Sequence, residues 1–204
     1  MSATGIRSLG PSNDRIPRAE LRKAEESAAL YDRNVRFQAL PPERKRVAIA
    51  RDVLKWLRMG KILATCGVYV ERFEPGDNDF TLDGGSCNAC ALGSLFAGAA
   101  EYGCTTVGMR WADTSSHKDA IRAHLRGVFD EEQLGYIEAA FERRATHAVN
   151  TELGRQYNKQ FPRAHEAEIW AYHIVDKDQR MAAIMLNIIR NGGTFNLDDP
   201  APRR

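Results

Sequence analysis

The stretch from Asn88 to Tyr102, NACALGSLFAGAAEY, holds almost nothing but small or apolar side chains, and it limits the folds open to this chain more than any other segment. A helix without a polar face has to be buried. Its alanines and glycines also let neighbouring backbones come close. The segment is therefore expected to form the central helix, about 88–102, of a domain that 204 residues are enough to enclose.

Amphipathic helices are expected around it. Between Glu43 and Met59, residues Val47, Ala50, Val53, Leu54 and Leu57 recur at helical spacing, and Gly60 follows as a left-handed cap. Asp130 opens a second such helix, EEQLGYIEAAFERR, with Leu134, Ile137 and Phe141 on one face and acidic residues in the first turn. A third runs from Asp176 to Asn191 and ends at Gly192–Gly193, and Asp113 or Thr114 is expected to cap a fourth reaching about Arg126. Residues 145–170, interrupted by Pro162, show no clear pattern. ILATCGVYVERF, residues 62–73, is rich in β-branched and aromatic residues and reads as extended, with Phe80 to Leu82 as a strand partner across PGDND. The fold class expected is mainly α: a compact helical domain with at most one small hairpin or sheet at about 62–83, with α+β as the alternative.

Residues 1–18 combine Gly, Pro, Ser and Asn with few large apolar side chains and are expected to be a mobile tail. Residues 19–37 carry helix formers and opposite charges at close spacing, such as Glu20 with Lys23, but sparse apolar residues; they read as an exposed charged helix able to dock on a partner. Pro41–Pro42 close this appended segment, 1–42, ahead of a single globular domain, 43–197, and a flexible end, 198–204.

Charge is weakly polarised: residues 1–46 hold 10 basic and 6 acidic residues and the remainder 19 and 21, for a net +2. That balance does not suit a dedicated nucleic-acid binder. A basic helix face with Arg51, Lys55, Arg58 and the aromatic Trp56 nevertheless keeps direct nucleic-acid binding open. No apolar run reaches the roughly 18 to 20 residues of a membrane-spanning helix, and the first thirty residues lack a secretory signal. A cytoplasmic location is expected, with the four cysteines, Cys66, Cys87, Cys90 and Cys104, as reduced thiols.

Residues 83–93, DGGSCNACALG, admit three readings. Cys87, in the first turn of a helix, would gain from the dipole and from free backbone amides, making a nucleophile with His147, His165 or His173 as base. Cys87 and Cys90 have the spacing that grips zinc, with Cys66 and Cys104 to complete the set. Alternatively both thiols pack as small hydrophobes and the glycines form a turn into the helix. If a small ligand binds, the turn Asp83, Gly84, Gly85, Ser86 and Asn88, together with Arg110, Trp111 and Asp113, is the expected place.

GGSCNACALGSLF, EEQLGYIEAAFE and RMAAIMLNIIRNGGTF together resemble a group of small bacteriophage and bacterial proteins in which a Cys-Ala-Leu-Gly helix follows a glycine-containing loop. The resemblance spans about residues 45–197. It implies a phage or mobile-element setting and transfers no catalytic residue, because the group has no established activity. The function expected is that of a non-enzymatic accessory protein that binds a host protein or a small ligand without a cofactor. A cysteine hydrolase or transferase using Cys87, and a nucleic-acid-associated protein using the basic helix, are the alternatives.

Overall fold

Each run of helically spaced apolar residues becomes a helix in the computed structural model, which describes residues 17–72, 86–102, 118–142 and 152–202. In chain order the elements are α1 (Arg18–Gln38), α2 (Pro42–Arg58), β1 (Ile62–Ala64), β2 (Val70–Arg72), β3 (Cys87–Ala89), α3 (Ala91–Ala100), α4 (Lys118–Leu125), α5 (Glu131–Glu142), α6 (Glu152–Gln160), α7 (Ala164–Ala171) and α8 (Lys177–Arg190). The fold is mainly helical with one small sheet.

The capping signals fall where the sequence puts them. Asp130 accepts from the Gln133 amide at 2.7 Å and Asp176 from that of Gln179 at 2.8 Å, each occupying an amide that the first helical turn leaves unpaired. Gly60, Gly192 and Gly193 take φ of 66°, 63° and 102°. Between residues 145 and 170, where periodicity was weak, α6 and α7 are separated by buried Phe161 and by Pro162.

Helix α3 is the centre. Every residue from Ala91 to Ala99 is buried, and α2, α4 and α5 pack against it, with α8 bridging α2 and α5 and α7 lying on α5. Its small residues are required by that packing. A β-carbon on Gly93 would stand 1.5 Å from the Tyr69 carbonyl oxygen, and one on Gly98 would stand 2.9 Å from Ile49 Cγ2.

The start of this segment departs from expectation. Residues 87–89 are a strand and the helix begins at Ala91, with Cys90 as its cap. β3 is the middle of a three-stranded sheet, parallel to β1 with Ile62 beside Cys87 and antiparallel to β2 with Val70 beside Ala89. Ile62, Ala64, Val70, Cys87 and Ala89 are buried, while Leu63, Asn88 and Glu71 lie abreast on the outer face. The side chains that looked like one turn of helix thus alternate between two faces of a sheet. The outer edge of β1 is closed by Asp178, whose Oδ1 accepts from the Ala64 amide at 2.9 Å. The proposed strand at Phe80–Leu82 lies outside the described residues, as do the tail up to residue 16 and the cap at Asp113 or Thr114.

The carboxyl-terminal segment makes contacts with the body as far as Pro202. The Asp199 carboxylate receives Arg190 and Asn191, its carbonyl receives the Trp170 indole at 2.7 Å, and Ala201 is buried.

At the other end, among the described residues, α1 touches the body through its last turns. Of its 21 residues only Phe37 is buried. Its ring stacks on Tyr102, while the Arg33 guanidinium lies 4.4 Å from the centre of the Tyr102 ring and 3.4 Å from Asp52 Oδ2.

Candidate functional site

The cysteine stretch was the first place to look for chemistry, and burial governs what its thiols can do. Cys87 projects from β3 into the core and is fully buried; Cys90 is 3% exposed. The helix-start role expected of Cys87 belongs to Cys90, whose sulfur accepts from the Gly93 amide at 3.5 Å. Removal from water nevertheless outweighs that hydrogen bond and pushes the Cys90 thiol up to about 12. At neutral pH Cys90 is a neutral thiol in an apolar shell, and a buried neutral thiol is a poor nucleophile. Cys66, half-buried in the turn after β1, is also raised, first by burial and then by Glu142, and its thiol points at the Phe141 carbonyl oxygen 3.8 Å away.

The candidate histidines are engaged elsewhere. The His165 ring lies on exposed α7 surface 3.8 Å from Glu168, and exposed His173 meets the Pro202 carbonyl oxygen at 2.9 Å. His147 lies outside the described residues. For metal, no three or more His, Cys, Asp or Glu side chains converge among the described residues; Cys104, the fourth ligand considered, is not one of them.

The expected ligand turn is described only at its end. Asp83, Gly84, Gly85, Arg110, Trp111 and Asp113 fall outside the described residues. Asn88 bridges the outer face of the sheet, its amide 3.4 Å from Glu71 Oε2 and its carbonyl oxygen 3.4 Å from the Thr65 hydroxyl; Ser86, just before β3, is half-buried. Nearby, an open depression of about 370 Å³ is lined by Ala64, Val175, Asp176, Lys177 and Asp178. Both of its carboxylates hold backbone amides, so its polarity serves the helix start and the sheet edge.

Two polar centres escaped the reading of the sequence. Arg122, 3% exposed on α4, is gripped by Glu131 and Glu138 of α5; Arg126 shares Glu131 at 2.7 Å, and the Tyr69 hydroxyl donates to Glu138 at 2.7 Å. Burial alone would lower the Arg122 pKa, but the two carboxylates hold it raised. Two guanidinium groups and two carboxylates cancel, which suits a tie between α4 and α5 better than a site for an ionic substrate. Arg180, also buried, donates to the carbonyls of Phe141, Ile174 and Val175, gathering the ends of α5 and α7.

The basic face of α2 also loses its aromatic member. Trp56 is 6% exposed and belongs to the core, leaving Arg51, Lys55 and Arg58 on the surface without a ring for a base to stack on.

One feature with unspent binding capacity among the described residues is α1. Leu21, Tyr31 and Val35 are 46%, 69% and 50% exposed along one face of this helix, and Leu30 is 48% exposed on another. Large apolar side chains grouped on a surface mark an interaction site more often than singly scattered ones do. Among the described residues no helix is long and apolar enough to cross a membrane. Compared with family models, with curated proteins and with solved structures, the chain shows no significant similarity to any.

Proposed function

We propose that this protein is a non-enzymatic binding protein of the cytoplasm that docks on a protein partner through α1. The observation that carries the reading is the contrast along one helix: Phe37 is locked against Tyr102, while Leu21, Tyr31 and Val35 remain 46%, 69% and 50% exposed. An apolar surface of that kind lowers its free energy by association. The resemblance to phage proteins supports a host cell as the setting and a host protein as the partner. Burial of Cys87 and Cys90 favours binding over cysteine chemistry, since neither sulfur is open to a substrate.

A photo-crosslinking residue in place of Tyr31 tests this in cells. It should join the chain to one defined protein, whereas the same residue in place of Arg51, exposed on α2, should not. Equal labelling from both positions, or none from position 31, would remove the docking role.

A further inference from the structure

Resting on the reading of α1 as the docking arm, we propose that its partner presents an apolar helix bordered by Lys and Arg, engaged as a short two-helix seam. Leu21, Ala24, Ala28, Tyr31 and Val35 follow one another at alternating steps of three and four, and all five are exposed. That alternation is the core pattern of a coiled coil. At 100° per residue the five side chains fall within about 80° of the helix circumference, along a line about 21 Å long. Phe37 and Leu30, seven residues apart, lie on a different side, the one turned to the body. The stripe therefore points away from the domain and is open to a second helix. Its two alanines, at the middle, leave room for large side chains from the partner.

Charge decides which helix fits. The residues that border the stripe, Glu20 on one side and Glu25 and Asp32 on the other, are acidic and exposed, and none of them is in an ion pair among the described residues. Of the basic residues of α1, Arg18 and Arg36 stand at the two ends of the second border, Arg22 pairs with Glu26 at 3.2 Å and Arg33 with Asp52 at 3.4 Å, so the middle of the seam is bordered by carboxylates. A second copy is a poor match in either direction. Parallel pairing sets Glu20 against the other Glu25, and antiparallel pairing that overlaps the whole stripe sets Glu25 against the other Asp32, so carboxylate faces carboxylate along the seam. A partner with Lys or Arg at those places turns each repulsion into an attraction.

Two labelled helical peptides of equal length serve as probes for the full chain, both with Leu at the core positions, one with Lys and the other with Glu at the flanks. At low ionic strength the Lys-flanked peptide should bind at least about tenfold more tightly, the preference shrinking as salt rises. The double variant Glu25→Lys, Asp32→Lys should reverse the preference, and Tyr31→Asp should abolish binding of either. Equal binding of both peptides, or of neither, would overturn the proposed chemistry; if the crosslink from position 31 still forms, the docking role survives that failure. Sedimentation showing a dimer of the full chain that Val35→Asp dissolves would overturn it too, assigning the stripe to a second copy.

Discussion

The ring of Phe37 lies flat on that of Tyr102, centroids 3.8 Å apart and planes 9° from parallel. This stack, with the Gln38 amide donating to the Tyr102 carbonyl oxygen at 3.2 Å, fixes one end of α1 to the body and leaves the rest projecting. Phe37→Ala should cost about 3 kcal/mol, in the range for deleting a buried aromatic side chain. Its effect should be regional: amide exchange across residues 18–36 should accelerate far more than exchange in α3. Uniform acceleration throughout the chain would show that α1 is integral to the core.

Thiol accessibility follows from burial. In the native protein at pH 8, Cys87 and Cys90 should resist alkylation until unfolding, and Cys66, half-buried, should label before either. Peptide mass mapping after timed exposure to iodoacetamide reads this directly. Labelling of Cys90 at pH 7 faster than free cysteine would contradict a thiol raised to about 12.

Acid should loosen the joint between α4 and α5. Burial tends to raise the Glu131 carboxyl, but hydrogen bonds and charge from Arg126 and Arg122 outweigh it, so its pKa in the folded chain lies below the ordinary 4.5. A depressed carboxylate contributes stability that is present above its unfolded pKa and lost as pH falls through the folded one. The urea midpoint should therefore begin to drop below about pH 4.5, and Glu131→Gln should make that drop shallower. Arg122→Ala should be far more harmful, by about 3 to 5 kcal/mol, because it strands the Glu138 carboxylate in a largely buried place. A variant as stable as the parent would refute the tie.

Gly93 is the tightest point of the core. A methyl group there meets the Tyr69 carbonyl oxygen, backbone that cannot swing aside. Gly93→Ala should destabilise by about 3 kcal/mol or prevent folding, at the upper end for overpacked sites. At exposed Gly127, where a β-carbon would come no closer than 3.9 Å to the His124 carbonyl oxygen, Ala should be tolerated. Similar thermal midpoints for the two variants would contradict the packing described.

What could be read from the residues, and what could not, divides along the range of the interactions. Helices α2, α5 and α8 announce themselves because apolar period and end signals are local: Asp130 and Asp176 at starts, Gly60 and Gly192 at stops. Strand β3 hid because Cys87, Asn88 and Ala89 are too few and too small to show a period of two, and their parallel partner Ile62–Ala64 is twenty-five residues away. The Arg122 cluster was hidden likewise, its carboxylates nine and sixteen residues on. The α1 stripe was legible in spacing, but two of its five residues are alanines, which made the segment look only sparsely apolar. Asp199 gave no sign of its hold on Arg190 and Asn191, since a polar segment ending in prolines resembles a loose end.

The most direct test is the affinity of the partner joined at position 31, purified and titrated against the parent chain and against Tyr31→Asp with Val35→Asp. Both substitutions replace exposed side chains, so helix content and thermal midpoint should stay near those of the parent. Loss of at least about a hundredfold in affinity with the fold intact is the expected result, equivalent to about 2.7 kcal/mol. Unchanged affinity in the folded double variant would contradict docking through α1.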